Sequence, residues 1–594
     1  MASNIYIKNI GIVLFLAVVF LSHIFILEEI NSGFMEYNRI YITFVFPLTL
    51  LLTSTFYFPW RPIQIKISRI SLFLFFLALY IFFELCIIGL LSQYTAIAIF
   101  IFLLLFIFFQ QTYQQFQSKY TLAFLITSLL ITFLYQGQLH PFSIFSTMKM
   151  NVPINSGSNA NYFTSLIPFT LGIYFQASPQ RTGKIIKLLA LVLFIFCIIT
   201  IFNSHARLAY VSIIIGLGYS LYKIILPEKM KLRINKRYVW ITCALLLLVL
   251  LYILYSINKE SVHGRFLIYK ISFNIIQENP IFGSGLGSFK SLYNNYQAEY
   301  FQSHKVSVPL QLLADDTFEP FNEILRILVE LGIVGLSFVV IFVSISYRSI
   351  KMIKNPTPIQ YGAIGSLLSI AVCCTLSYPL SLTSIIVNVF FFIAVLTAGI
   401  EPELISWNFS PHFSFRIALT ICVSILSFLI FKKEIRYLES CYVWEKASFN
   451  ALQGDFATAR PLYNKASVEL STNGKFLVNY GSEQIIAGLS KEGVLTLRKA
   501  ENYLPCTTLY LYLGDGYSNL YNLHKAELSY KKAISMVPSK FMGKYKLMKL
   551  ALKRNKTSDA TNIAREILSY PVKIPSPEVK NIKISASKVL TDQN

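Results

Sequence analysis

The chain is short of charge. Asp, Glu, Lys and Arg make up only 14% of its 594 residues, and acids are the scarcer sign, 29 against 52 Lys and Arg. With 55% hydrophobic content, this scarcity excludes an ordinary soluble enzyme, while the length leaves room for at least two domains. The net charge of +23 resembles that of a nucleic-acid-binding protein, yet no recognition helix or stacking platform accompanies it. The cations sit in short loops between apolar runs and on the C-terminal tail, which is the membrane pattern, so nucleic acid is not an expected partner. Metal-ligand spacing is lacking too. Of eight cysteines, Cys86, Cys197, Cys243, Cys373, Cys374 and Cys422 lie inside apolar runs, and Cys441 and Cys506 stand apart, so they read as small core residues. A phosphate loop is also missing: Gly283-Ser-Gly285-Leu-Gly287 has the wrong spacing and no strand before it. It reads instead as a tight turn that lets backbone pass close to something, a ligand among the options. No cleavable leader is needed, because 9–30 is long enough to stay as an anchor.

What the chain has in quantity is apolar sequence. A membrane-spanning helix takes about 20 apolar residues. Thirteen stretches qualify: 9–29, 39–58, 69–90, 93–110, 120–137, 160–177, 185–203, 207–226, 238–257, 321–346, 360–378, 381–399 and 414–431. The expected fold is therefore all-α, a polytopic membrane protein of about 12–13 spans over 1–431, followed by a soluble helical domain over 432–594. Lys and Arg collect after the second, sixth, eighth and tenth spans, for instance Arg181, Lys184 and Lys187, which places those loops in the cytoplasm. The polar stretch 258–320, the loop 138–158 and the segment around Ser204–Arg207 then share the outer face, and an odd number of spans puts the C-terminal domain there as well.

The C-terminal region repeats. Small residues recur at Ala459, Gly493, Ala526 and Ala560, spaced 34, 33 and 34, with parallel series Ala466, Ala500, Ala533 and Tyr463, Leu497, Tyr530, Ala564. Small residues at that period let paired helices approach closely, the pattern of tetratricopeptide repeats stacked as an α-solenoid. Such a solenoid is either a spacer or a concave dock for a protein partner.

Candidate chemistry gathers between 204 and 330. Arg207 opens a span behind Ser204, which is placed to cap it. An arginine in a first turn opposes the helix dipole, so it either snorkels to the surface or faces a bound anion. Arg265 lies on an amphipathic segment, 262–277, with Phe266, Tyr269, Phe273 and Ile276 at helical spacing along the membrane surface. Two arginines at one depth suit either a pyrophosphate clamp or lipid headgroup contact. Downstream, Pro320 suits a first helical position with Glu319 or Thr317 to cap it. Asn322, Arg326 and Glu330 then fall on one face, with Glu323 three residues before Arg326. Glu330, deep in an apolar run, is either paired with Arg326 or functional. The loop around Asn159, facing the same side, caps the next span or hydrogen-bonds a sugar.

Together these segments resemble the O-antigen ligase and polymerase superfamily of membrane glycosyltransferases. The motifs are Ser204-His-Ala-Arg207, Gly264-Arg265 before Asn279-Pro280-Ile-Phe-Gly283-Ser-Gly285, and Phe321-Asn322-Glu323 followed by Glu330-Leu-Gly332-Ile-Val-Gly335-Leu336. The repeat tail is similar to that of members associated with Bacteroidetes. The resemblance implies transfer of a glycan from undecaprenyl pyrophosphate to an acceptor hydroxyl, on the lipid A core, a growing glycan or a protein, at the periplasmic face of the bacterial inner membrane. It implies Arg207 and Arg265 on the pyrophosphate, and neither metal nor cofactor. One departure stands out: the superfamily's ligases carry a histidine where this chain has Phe321, which cannot accept a proton. Glu319, Glu323 and Asp316 are the candidate bases, ahead of His304 and His263. The rival readings are a transporter of lipid-linked sugars and an inactive scaffold.

Overall fold

The computed structural model describes residues 63–88, 93–139, 156–225, 256, 259–400, 404–409 and 412–591. The expected spans 9–29 and 39–58, and nearly all of 238–257, lie outside these. The described chain forms two compact units: one holds the described parts of 1–254 together with 321–324 and 334–435, the other 255–320, 325–333 and 436–594.

The first unit is a bundle of apolar helices. Among the described residues, Phe116–Phe133, Arg181–Ser204, Arg207–Ile225, Glu323–Lys351 and Pro358–Leu376 are long and apolar enough to cross a membrane, which makes the chain a multi-pass membrane protein. At its centre the Ser156–Gln176, Arg207–Ile225 and Pro358–Leu376 helices pack on one another. Where two of them cross, Gly172 and Gly362 meet so closely that a Cβ on either would collide with backbone. In lipid, where apolar burial supplies little drive between helices, such close approach is what holds them. Polar side chains also join the helices: Asn161 donates to Ser377 Oγ at 2.9 Å and Phe169 N to Ser366 Oγ at 3.1 Å. A belt of rings, Phe109, Tyr120, Phe124, Phe169 and Phe391, fills the space beside them.

Several expectations shift. The stretches 93–110 and 120–137 meet without a loop: the run Gln93–Leu139 leaves helical geometry at Phe116 (φ −127, ψ 25), where two helices join at a kink. Its polar middle is tied into the bundle, with Gln110 donating to Thr397 and Gln114 to the Ala398 carbonyl. The Asn159 loop is instead the first turn of the Ser156–Gln176 helix. A two-stranded antiparallel ribbon, Ile63–Ile67 with Ile405–Phe409, joins an otherwise helical fold. The last apolar stretch continues without interruption as Phe413–Leu452, roughly 60 Å at 1.5 Å per residue, longer than a bilayer core is thick.

In the second unit the repeats appear as helix pairs: Gly474–Ile486 with Ser490–Ala500, Thr507–Asn519 with Leu523–Met536, and Phe541–Lys553 with Thr557–Ser569. Ala459, Gly493, Ala526 and Ala560 each occupy the fourth position of their helix, and Tyr463, Leu497, Tyr530 and Ala564 the eighth. All eight are buried. The turns repeat as well: Gly454, Gly488, Tyr521 and Asn555 all take left-handed backbone.

Candidate active site

In the first unit the Ser204–Arg207 motif is a hairpin between membrane helices. Arg181–Ser204 ends with His205 in left-handed backbone, and Arg207 is the first residue of the next helix. Ser204 Oγ donates to Ile201 O at 2.7 Å and accepts from Ala206 N at 3.3 Å, so it builds the turn that puts Arg207, half-buried, at the head of its helix.

Phe321, Asn322 and Glu323 also belong to this unit. The helix there begins at Glu323 and not at Pro320. Asn322 caps it, its Oδ1 accepting from Ile324 N at 2.9 Å while its Nδ2 donates to Thr375 O at 3.0 Å. Asn322 is therefore a joint and does not share a helix face with Arg326 and Glu330. Phe321 sits at φ 54, an uncommon conformation for a bulky side chain, with its ring edge-on to Tyr378 at 5.3 Å. Glu323 is buried and accepts from Leu380 N at 2.7 Å, which ties the helix start to the turn at Pro379–Ser381.

In the second unit Arg265 lies on the Lys259–Glu278 helix, half-buried. Leu267, Ile271 and Ile275 pack against Phe289 and Tyr293, whereas Phe266 and Phe273 are exposed on the other face. That uncovered apolar stripe is what a helix lying against lipid presents.

The glycine-rich turn meets a broken helix. Within Glu323–Lys351, Gly332 leaves the helical region at φ 63 and ψ −161. Breaking a helix frees backbone groups, and the turn takes them up: Ser284 N donates to Val329 O at 2.8 Å, Gly285 N to Glu330 O at 2.9 Å, and Ile333 N to Pro280 O at 2.9 Å. A Cβ on Gly283 would strike the Glu330 backbone, and one on Gly332 the Ile281 carbonyl. The close neighbour of the turn is thus the chain's own backbone. The Glu330 carboxylate lies in the field of Arg326 and accepts from the Gly287 N–H, which fixes a buried acid on the same turn.

Glu319 stands between two cations, Lys290 Nζ at 3.5 Å and Arg326 Nη1 at 3.8 Å, with a fifth of its side chain exposed. Asp316 is held by the repeats: its Oδ1 accepts from both the N–H and the hydroxyl of Thr507, at 2.8 and 2.9 Å, and its Oδ2 pairs with Lys540 at 2.7 Å. Around it Asn294 donates to Pro505 O at 2.9 Å, and Gln297 donates to Met536 O and to Asp315 O. Burial lowers the Lys540 ammonium, but Asp316 and Asp315 outweigh it and hold it above the ordinary lysine value. Burial, reinforced by Asp316, pushes the neighbouring Cys506 thiol up to about 11, so it is an inert core residue.

The structure therefore groups Glu319 with Arg326, Glu330 with the glycine turn, Asn322 and Glu323 with the 375–382 turn, and Asp316 with the repeats. Arg207 belongs to the first unit and Arg265 to the second. Asn159 is a helix residue whose side chain lies outside the description. Lys290, Thr507 and Lys540 were not singled out from the sequence. Of the three, Lys290 carried the better signal, a lone cation just past the glycine turn.

Comparison with known families bears on this stretch directly. Residues 192–340 match the family described as O-Antigen ligase. Over that segment the chain is similar to O-antigen ligases. The matched segment is about a quarter of the chain, and it includes Arg207, Arg265, the glycine turn and the run from Asp316 to Glu330. The match supports a ligase- or polymerase-like glycosyltransferase acting on lipid-linked glycans. No curated protein matches the chain. Among solved structures the crystal structure of yeast Tom70 is similar at 10% identity, over 82% of this chain and 96% of that one, with a TM-score of 0.24. The repeat architecture rests on the helices described above.

Proposed function

We propose that the ligase-like domain transfers a glycan from undecaprenyl pyrophosphate to an acceptor hydroxyl at the periplasmic face of the inner membrane. The transfer domain covers 1–431 and the repeats 432–594. The observation that supports this most is the family match over 192–340, which takes in both arginines and the acid-bearing run. In the reaction the acceptor oxygen attacks the anomeric carbon, the bond from that carbon to the pyrophosphate breaks, and undecaprenyl pyrophosphate departs with added negative charge. Arg207 and Arg265 stabilise that charge, and preorganised cations of this kind are typically the largest contribution to such a step. The acceptor proton passes to a carboxylate. Asp316 is engaged on three sides and Glu323 is buried against Leu380 N, whereas Glu319 is partly exposed, so Glu319 is our choice of base. The interruption at Gly332 does not favour a transporter, since its freed carbonyls are filled by the chain's own turn and not left to line a pathway.

The test is a deletion strain carrying wild type, Arg207→Ala or Arg265→Ala, with surface lipopolysaccharide, glycoproteins and carrier-linked glycan quantified together. Both variants are expected to lose at least about 100-fold of transfer, and carrier-linked glycan accumulates. Loss of long-chain lipopolysaccharide identifies the lipid A core as acceptor, shortened chains a growing glycan, and loss confined to glycoproteins a protein. Wild-type behaviour in both variants contradicts the clamp and favours a scaffold.

A further inference from the structure

The repeat helix Thr507–Asn519 starts without a cap of its own, since Cys506 offers no side-chain hydrogen bond to it. The missing acceptor comes from 191 residues upstream, where Asp316 receives the Thr507 N–H and hydroxyl. A carboxylate suits that place because free N–H groups and the helix dipole both favour an anion. Its second oxygen pairs with Lys540, a lysine shared with Asp315 at 3.1 Å. The loop helix Ser288–Ser303 packs on Leu523–Met536. Asn294 links the two sides of the joint, accepting from Thr317 N at 3.0 Å and donating to Pro505 O.

We propose that Asp316 is a positioning residue and that the repeats act first as an internal clamp on the loop. By fixing Asp315 to Thr317, the clamp sets where Glu319, three residues on, presents its carboxylate. The face of the solenoid around 505–540 is then filled by the protein's own loop and is not an open dock for a partner. The catalytic half of this proposal rests on Glu319 as base; the clamp does not.

The experiment uses the purified full-length protein and two readouts, hydrogen exchange of the 288–317 amides and the rate of glycan transfer. Asp316→Ala is expected to speed exchange across 288–317 and to lower kcat at least about 10-fold with KM for the carrier-linked donor little changed, as loss of a transition-state interaction does. Asp316→Asn keeps an oxygen that accepts from Thr507, so it is expected to recover most of both. Were Asp316 itself the base, Asn would be as inactive as Ala, and that result overturns the proposal. Unchanged exchange in Asp316→Ala overturns it as well. Lys540→Met and Thr507→Val each remove one arm of the joint and are expected to shift both readouts the same way by less, which covers the case in which Asp316→Ala does not fold. If wild type transfers no glycan while Asp316→Ala loosens the loop, the glycosyltransferase reading fails and the clamp stands.

Discussion

Asp316, Glu319 and Glu323 lie within eight residues of sequence, yet each meets a different neighbour: a repeat helix, two cations and a membrane-side turn. Their surroundings assign them different work. Glu319→Gln removes a proton acceptor that is partly in water, and is expected to lower turnover by about 100-fold or more, the usual contribution of a general base. Its melting temperature is expected to hold, because exposed ion pairs contribute little to stability. Glu323→Gln retains an oxygen for Leu380 N and is expected to keep most activity. Turnover measured with thermal unfolding checks the pair, and the reverse ranking would move the base to Glu323. The sequence alone ranked Glu319 and Glu323 equally, since composition and spacing carry no information on which of three neighbouring carboxylates a distant helix will claim. Asn322 was misplaced for a similar reason. Pro320 resembles a helix start, but the left-handed turn at Phe321 delays the helix to Glu323 and turns Asn322 into its cap.

Among the elements, the broken helix and the glycine turn behave as one piece. Gly332 at φ 63 and ψ −161 is in a region essentially reserved for glycine, and it has no room for a Cβ. Gly332→Ala is therefore expected to cost roughly 3 kcal/mol or more, from backbone strain together with collision. Gly264→Ala, inside a helix with nothing within 4 Å of a new Cβ, is expected to gain up to about 1 kcal/mol. Thermal unfolding of the two in detergent checks the contrast, and equal effects would contradict the fit of turn to helix. The turn itself was legible: three glycines on alternate positions read as backbone passing close to another group. Its partner was not, because apolar sequence runs evenly through 324–346 and hides a break that only a left-handed residue reveals. The run Gln93–Leu139 is the opposite case, where the polar interlude marks a real interruption, since the backbone leaves helical geometry at Phe116.

At the scale of the whole molecule, the long loop and the repeats are joined directly, Asp316 to Thr507 and Lys540. Their joint has a pH signature. Lys540 is raised above its ordinary value of 10.5, so its contribution is complete below that value and is lost as pH rises through the higher folded value. The difference in melting temperature between wild type and Lys540→Met is expected to stay constant through neutral pH and to shrink only above 10.5. A difference that vanishes near neutrality would contradict the pairing. The solenoid was the most legible part of the chain, because a period of 33–34 residues places small side chains at one depth of every helix pair. What occupies its face was not legible, since contacts such as Asn294 with Pro505 join residues 211 apart that share no pattern.

As proposed, this chain breaks a glycan–pyrophosphate bond with the help of Arg207 and Arg265. The most direct measurement supplies the purified protein in liposomes with undecaprenyl-pyrophosphate-linked glycan, lipid A core and candidate acceptor proteins, and follows release of undecaprenyl pyrophosphate. One carrier is expected to be released per glycan joined to acceptor, with the rate lost in both arginine variants, and not restored by lysine, whose point charge lacks the planar donor fork. Release that proceeds at the wild-type rate without either arginine would contradict it.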